Sequence, residues 1–232
     1  MHVFYTPDIL TNPELPEEEA KHCLRVLRLS PGDEITLTDG KGYFYKAEIT
    51  IANNKRCLVS IRETTYQEPL WSRHIHIAMA PTKNMDRNEW FAEKATEIGI
   101  DELTFLDCRF SERKTIKIER IEKTMISAIK QSLKARLPIV HEITSFDTFI
   151  EQPFDGQKFI AHCYPGEKPL LKDVLQPGED ALVLIGPEGD FSEKEVEKAI
   201  EKGFVPISLG KSRLRTETAA LVACMTMNIV GQ

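Results

Sequence analysis

The chain has 232 residues, a formal net charge of −6 and 41% hydrophobic residues. This length and this share of hydrophobic residues suffice for two domains with buried cores. No stretch approaches the length of a membrane span, and the first residues lack the basic and apolar regions of a signal peptide, so we expect a cytoplasmic protein without a membrane partner. The five cysteines are scattered and form no CxxC pair, which argues against a zinc site and favours reduced thiols.

Residues 1–70 are predicted to form a small β domain. Strands are predicted at residues 34–38, 43–51 and 57–62. In the second strand, Tyr45, Ala47 and Ile49 alternate with polar side chains, the period of a half-buried strand. The Asp39-Gly40-Lys41-Gly42 segment before it is typical of a hairpin turn. A short helix over residues 16–27, with glutamates at its positive end, completes what we interpret as a compact barrel.

From about residue 74 onward, predicted strands and helices alternate, as in a parallel α/β sheet. Strands are predicted at residues 74–80, 103–106, 138–143, 159–163, 181–185 and 205–209. Asp86 is expected to cap the first helix and Gly99 to end it, and Ser192 with Glu195 forms a capping box for a later helix. Further helices are predicted at about residues 118–132 and 218–230.

Two loops near the carboxyl end each follow a predicted strand and lead into a helix. Residues 185–195 read Ile-Gly-Pro-Glu-Gly-Asp-Phe-Ser-Glu-Lys-Glu, and residues 208–220 read Ser-Leu-Gly-Lys-Ser-Arg-Leu-Arg-Thr-Glu-Thr-Ala-Ala. Strand ends in open α/β sheets expose backbone groups at the edge where such folds bind ligands. The chain lacks both a P-loop and a strand-linked G-x-G-x-x-G. The two loops therefore predict a pocket walled by backbone and suited to a nucleoside.

The same loops, GPEG and LG-x-x-x-LRTETA, resemble those of the 16S ribosomal RNA uracil-N3 methyltransferase family, part of the SPOUT superfamily of S-adenosylmethionine (SAM) enzymes. Residues 22–33, 81–89, 93–99 and 130–138 are similar to further signatures of that family, so the resemblance spans nearly the whole chain. The family's usual glycine is replaced at Asn84 and at Asp190. Since Asn and Asp tolerate positive φ best, we expect tight turns at both positions.

The resemblance implies an α/β protein with a PUA-like RNA-binding β-barrel over residues 1–70 and a SPOUT methyltransferase domain with a trefoil knot over residues 71–232. It implies SAM as the cofactor, and 16S rRNA within the small ribosomal subunit as the partner, methylated at N3 of a uridine in the decoding region. A homodimer is implied too, and the apolar face of the last helix needs cover. We expect no metal. Two alternatives stay open, a non-catalytic RNA-binding module with a nucleoside pocket and a methyltransferase for another RNA base or for tRNA.

The cofactor is expected to lie against the backbone of the two loops. Glu188 is expected to meet the ribose hydroxyls or the sulfonium cation, with charge compensation at a helix amino terminus as the alternative. The expected cofactor-binding residues are Ile185, Gly186, Glu188, Gly189, Leu209, Gly210, Leu214 and Thr216.

Methylation at uracil N3 sets a further demand, because that nitrogen carries a proton. Its pKa lies ~2 units above neutral, so forming the nucleophilic anion at pH 7 costs about 3 kcal/mol. Positive charge at the uracil oxygens lowers this cost. Arg213 and Arg215 are the candidate donors of that charge. Glu217 is the candidate base, with an Arg–Glu ion pair as its alternative role.

Basic residues are concentrated in two places despite the acidic total. Residues 109–136 contain nine Lys or Arg and three Glu, a local net charge of +6, and a second group occupies residues 21–28. We expect these segments to contact phosphates, with a solvated helix face as the alternative. The candidate RNA-binding residues are Arg25, Arg28, Lys83, Arg87, Arg113, Lys114, Lys117 and Arg120.

Overall fold

The computed structural model describes residues 2–53 and 56–230. The chain divides into two compact units. The first unit contains Met1–Pro69 with Ile126–Leu137, and the second contains Leu70–Met125 with Pro138–Gln232. No helix in the described ranges is both long and apolar enough to cross a membrane.

The first unit is built on a four-stranded sheet in the order β1-β2-β3-β4. The strands are β1 (Val3–Tyr5), β2 (Glu34–Thr38), β3 (Tyr43–Ala52) and β4 (Cys57–Tyr66). β1 runs parallel to β2, and the other two pairs are antiparallel. The predicted hairpin is confirmed, and Tyr45, Ala47 and Ile49 face the core as the alternation predicts. β1 and the last residues of β4 are not predicted.

The predicted helix over residues 16–27 is present in two parts. A short helix α1 (Glu17–Lys21) continues into a π-helical segment, His22–Val26. The wider winding is visible in the 3.0 Å hydrogen bond from the Leu27 N–H to the His22 carbonyl oxygen, which spans five residues. Arg28, with a φ of 59°, ends the winding.

A distant segment completes the first unit. After the long helix α3 (Ile118–Ser132), residues 133–137 pair with the hairpin turn. The Gly42 N–H donates to the Ala135 carbonyl oxygen at 2.9 Å, and the Leu137 N–H donates to the Gly40 carbonyl oxygen at 2.9 Å. One backbone donor and one backbone acceptor of this turn are therefore satisfied by residues about a hundred positions later in the sequence.

The second unit contains a six-stranded sheet in the order β10-β8-β9-β5-β6-β7, with every neighbouring pair parallel. The strands are β5 (Ile75–Met79), β6 (Glu102–Asp107), β7 (Ile139–Ser145), β8 (Gln157–Ala161), β9 (Ala181–Ile185) and β10 (Val205–Ile207). The remaining helices are α2 (Met85–Ile98), α4 (Phe146–Ile150), α5 (Leu171–Val174), α6 (Glu193–Glu201) and α7 (Thr216–Val230). The α/β class predicted from the sequence is confirmed.

The central position of β9 explains its sequence. All five of its residues, Ala-Leu-Val-Leu-Ile, are buried, as expected for a strand covered on both faces of a parallel sheet. Phe146, Leu184, Phe191 and Val196 share one core cluster on a face of this sheet. The predicted capping box is confirmed, since the Ser192 side chain accepts from the Glu195 N–H while the Glu195 carboxylate accepts from the Ser192 N–H.

The start of α2 differs from the expectation. Asn84, not Asp86, is the cap, and its side-chain oxygen accepts a 3.0 Å hydrogen bond from the Asp86 N–H. A capping residue has extended backbone, and the φ of Asn84 is −84°, so the tight positive-φ turn expected there is wrong. The corresponding expectation for Asp190 is confirmed by its φ of 67°. Gly99 ends α2 as predicted.

Three histidines surround one carboxylate where β5, β6 and β7 begin. Glu102 lies 2.8 Å from Nε2 of His74 and 2.5 Å from Nε2 of His141, and His76 lies 2.8 Å from the Thr104 hydroxyl. The hydrogen bond from His74 lowers the pKa of Glu102 to about 2, whereas burial lowers the pKa of His76 to about 4. No group of side chains in residues 2–53 and 56–230 has an arrangement that could hold a metal ion.

The buried His76 predicts a loss of stability in acid. Its pKa falls from 6.5 in the unfolded chain to about 4 in the folded one, so the unfolded chain gains a proton first as the pH falls below 6.5. Acidification from pH 7 to 5 should therefore cost about 2 kcal/mol of unfolding free energy through this residue. Urea unfolding at both pH values should show a smaller loss in His76→Gln. An equal loss in His76→Gln and wild type would contradict the assignment, and His22→Gln serves as the control.

Candidate functional site

A cavity of about 940 Å³ lies at the carboxyl ends of β8, β9 and β10. Its walls include residues 161–164, 166 and 168 at the end of β8, residues 185–188 and 190 at the end of β9, and residues 207–216 before α7. The chain order along the sheet reverses between β5 and β9, and open α/β sheets bind ligands beside such a reversal. The cavity thus occupies the edge that the two loop motifs predict.

Most of the expected cofactor-binding residues line this cavity. Those on its wall are Ile185, Gly186, Glu188, Leu209, Gly210, Leu214 and Thr216. Gly189 is not on the wall, and a Cβ added there would lie 3.2 Å from the Cβ of Phe110. The wall that follows β8 includes His162, Cys163 and Lys168, which are not among the expected cofactor-binding residues. The Pro-Gly turn after that strand was the available signal.

Two glycines of the cavity wall have different roles. A Cβ on Gly186 would lie 3.0 Å from the backbone nitrogen of Phe191 and 3.1 Å from its ring. A side chain at residue 186 would therefore collide with its own loop before meeting a ligand. Gly210 has open space around it but a φ of 128°, a conformation that glycine adopts without strain.

Glu188 joins two loops at the edge of the sheet. Its Oε1 accepts a 2.9 Å hydrogen bond from the Lys83 N–H, in the loop that follows β5. Helix α6 begins only at Glu193, so Glu188 is not in its first turn; the carboxylate instead contacts the residue before Asn84, the cap of α2. The carboxylate holds the loop after β9 against the loop after β5 while its residue lines the cavity.

Asp190 makes a second connection, toward β8. One carboxylate oxygen accepts from the Cys163 N–H at 2.7 Å and the other from the Phe191 N–H at 2.8 Å. The Tyr164 hydroxyl adds a 2.8 Å hydrogen bond to the Phe191 carbonyl oxygen. Glycine at position 190 would allow the same turn but would lack the carboxylate that fastens the two cavity loops together.

Arg213 and Arg215 lie on the cavity wall with exposed side chains. Neither guanidinium makes a hydrogen bond or an ion pair with another side chain of the described residues. The loop therefore presents two positive charges to whatever occupies the cavity. Such unpaired cations are suited to stabilising negative charge that develops on a bound substrate.

Glu217 lies behind the cavity rather than on it. Its side chain is buried in the first turn of α7, and its Oε1 lies 3.6 Å from Nε of Arg87, which does line the cavity. The other carboxylate oxygen, Oε2, has no hydrogen-bond partner in the described part of the chain. The structure thus pairs Glu217 with Arg87 and not with Arg213 or Arg215.

The basic candidates of the second unit divide into two sets. Arg113 binds the Thr82 and Lys83 carbonyl oxygens, at 3.1 and 2.6 Å for its closest contacts, and so lies beside the loop that Glu188 holds. Lys83, Lys114 and Arg120 form ion pairs with Glu112, Asp107 and Glu89 respectively. Lys117 is exposed. Apart from Arg87, none of these candidates lines the cavity in the described residues.

In the first unit, Arg25 and Arg28 are both exposed. Arg25 also lines a separate cavity of about 830 Å³, together with Lys21, Leu24 and Ser30. Arg25 and Arg28 are therefore surface residues of the first unit, whereas the basic segment 109–136 is divided between the two units.

Family models match almost the whole length of the chain. A model described as an RNA methyltransferase domain matches residues 69–228, and one described as an RNA methyltransferase PUA domain matches residues 15–62. Among curated proteins, the chain is 31% identical to the ribosomal RNA small subunit methyltransferase E of Aquifex aeolicus, over 98% of this chain and 100% of that protein.

Solved structures agree with these matches. A probable rRNA-methyltransferase from Porphyromonas gingivalis is 46% identical with a TM-score of 0.95, over 99% of this chain and 98% of that chain. The ribosomal RNA small subunit methyltransferase E from Neisseria gonorrhoeae, bound to S-adenosyl methionine, is 29% identical with a TM-score of 0.89, over 100% and 98% of the two chains.

Proposed function

This chain belongs to the RNA methyltransferase family, and from that membership we propose that it transfers the methyl group of SAM to N3 of a uridine in 16S rRNA. Relatives named ribosomal RNA small subunit methyltransferase E support the substrate, and one such relative in complex with SAM supports the cofactor. The observation that carries the proposal is the cavity at the sheet edge, where the guanidiniums of Arg213 and Arg215, without a side-chain partner among the described residues, line a pocket formed by three loops.

The cavity suits SAM in both size and chemistry. We assign backbone groups at Leu209 and Leu214 to the adenine and ribose, and the space around Gly210 leaves the wall open to them. The Ile185 carbonyl oxygen already accepts a 2.9 Å hydrogen bond from the Ala80 N–H, so this residue contributes to the wall. Bound SAM supplies the electrophilic methyl group. Glu188 and Asp190 contribute by fixing the loops that shape the cavity.

We assign the acceptor chemistry to the cations. Arg215, assisted by Arg213, stabilises the negative charge on the uracil oxygens as N3 loses its proton. Glu217 acts through Arg87, because its carboxylate orients that guanidinium at the cavity wall. We do not assign Glu217 the role of the base, since its side chain is buried and the residue is not on the wall.

We propose that RNA phosphates contact the basic surface residues Arg25, Arg28, Lys83, Arg87, Arg113, Lys114, Lys117 and Arg120. Their positions on the surface and the total charge of the segments support this. Lys83, Arg87, Lys114 and Arg120 already pair with carboxylates, so phosphate must compete for them. Lys117 is exposed on the loop before α3, so phosphate should bind it with less competition from carboxylates.

We also propose that residues 1–70 form the RNA-binding barrel and residues 71–232 the methyltransferase domain with the knot expected of its superfamily. The family models at residues 15–62 and 69–228 support this division. A homodimer in the cytoplasm is part of the proposal. The exposure of three apolar side chains supports the dimer. Trp90, Met225 and Ile229 are 41%, 43% and 58% exposed and lie on the packed helices α2 and α7.

Methyl transfer to isolated small ribosomal subunits tests the function. With SAM carrying a labelled methyl group, the protein should label 16S rRNA, and mass spectrometry of the digested nucleosides should identify N3-methyluridine. Label in tRNA or in a different base would contradict the substrate. SAM binding without transfer to any RNA would favour a non-catalytic module.

A further inference from the structure

Two tyrosines form an exposed aromatic pair on the sheet of the first unit. Tyr43 begins β3 and Tyr66 ends β4, and the two residues are direct partners in the antiparallel register. Their ring centroids lie 5.2 Å apart, with an angle of 59° between the ring planes. The residues are 40% and 42% exposed, so this cross-strand pair leaves substantial aromatic surface in solvent.

Arg136 extends this pair into a three-residue patch. Its guanidinium carbon lies 5.4 Å from the centroid of the Tyr66 ring, and its Nη2 donates to the Tyr66 hydroxyl. Its Nε is buried and has no hydrogen-bond partner in the described part of the chain, so the Nη groups are the ones that could meet a ligand. We call Tyr43, Tyr66 and Arg136 the aromatic patch.

The backbone under the aromatic patch is held in place. Arg136 forms an antiparallel bridge with Lys41 at the hairpin turn. A Cβ on Gly42 would lie 3.2 Å from both the Arg136 guanidinium carbon and the Tyr66 ring, so the glycine permits this close approach. The arrangement is therefore built into the fold and not the chance meeting of mobile side chains.

Two cations, Lys41 and Arg136, lie at the aromatic patch. Lys41 is exposed at the same turn. The nearby carboxylate of Asp39 is buried and accepts hydrogen bonds from the Lys41 and Tyr43 N–H groups and from the Tyr45 hydroxyl. The turn thus offers solvent two cations and two phenol rings, while its acidic group is used internally.

We propose that the aromatic patch is a stacking platform for an unpaired nucleotide of the RNA substrate, with Arg136 and Lys41 binding the adjoining phosphates. Proteins recognise unpaired bases by stacking them on aromatic rings and guanidinium planes, and this mode tolerates any base because every base has a π-face. The proposal deepens the proposed function and rests on it, since it assigns part of the RNA contact to a site outside the methyl-transfer cavity.

Fluorescence of a stacked base analogue tests the platform without requiring catalysis. A single-stranded oligoribonucleotide carrying 2-aminopurine should be quenched on binding the full-length protein. Tyr43→Ala should reduce this quenching and weaken binding roughly tenfold, the scale for losing one base stack. Tyr43→Phe should retain both signals because it keeps the ring. Leu10→Ala, which changes an exposed apolar residue of the same unit, is the matched control.

Kinetics separate a binding role from a structural one. With small ribosomal subunits, Tyr43→Ala should raise KM for RNA while leaving kcat and the Kd for SAM unchanged. Unaltered quenching and an unaltered KM in Tyr43→Ala would overturn the platform and leave the tyrosines as hairpin packing. If the wild-type protein transferred no methyl group yet quenched the oligonucleotide, the proposed function would fail while the platform stood.

Discussion

Replacing Arg215 with alanine should lower the rate of methyl transfer by roughly 100-fold or more, the scale for removing one donor that stabilises developing charge. The guanidinium is on the cavity wall and makes no ion pair with another described side chain, so its charge is available to the uracil oxygens. Since that interaction strengthens only as N3 loses its proton, the change should lower kcat and leave the Kd for SAM nearly unchanged.

The pH dependence of Arg215→Ala identifies the reason for its defect. Raising the pH increases the fraction of uracil that is already ionised, so the variant should regain part of its rate while the wild type gains less. Single-turnover transfer to small subunits between pH 7 and 9 measures this. Lys211→Ala removes another exposed cation from the same loop and is the matched control. Near-normal turnover in Arg215→Ala would move the role to Arg213 or Arg87.

Replacing Gly186 with valine should weaken SAM binding by about two orders of magnitude. Even the first carbon of the side chain would lie 3.0 Å from the Phe191 nitrogen, and Phe191 is fully buried in the core. The loop after β9 must therefore move, and overpacking of this kind costs about 1–3 kcal/mol. Because Ile185, Glu188 and Asp190 share that loop, the cavity should lose its shape.

Calorimetric titration with SAM measures the loss of affinity. A series of side chains of increasing size at residue 186 distinguishes a local change of the cavity from unfolding of the protein. Gly186→Ala should show an intermediate loss of affinity. Gly189→Ala adds the same methyl group to the same loop, at a residue that is not on the cavity wall, and should bind SAM more tightly than Gly186→Ala. Equal affinity in Gly186→Val and wild type would remove this loop from the cofactor site.

Local sequence patterns predicted the elements that carry the site. The all-apolar β9, the capping box at Ser192 and the long final helix each have a strong local signature, and each was confirmed. Helices α4 and α5 have five and four residues, too few to show a helical period, and they were not predicted. Asn84 and Asp86 are both good caps, so the sequence could not choose between them.

The contacts that shape the cavity could not be predicted from local patterns. Glu188 meets Lys83, Asp190 meets Cys163, and Glu217 meets Arg87 across long stretches of sequence. Each residue alone fits a helix start or a turn equally well. The strand order, which places β9 between β8 and β5, brings the first two pairs together, and the packing of α7 on α2 brings together the third.

The late segment that completes the first unit limits how this protein can be divided. A fragment that ended at residue 69 would lose the carbonyl oxygen of Ala135, which accepts from Gly42, and Arg136, which covers Tyr66. Exchange of the amino-terminal domain between relatives would meet the same difficulty, because residues 126–137 would stay with the recipient. The hairpin and this segment are therefore expected to change together in evolution, and a transplanted domain should fold well only when both come from the same parent.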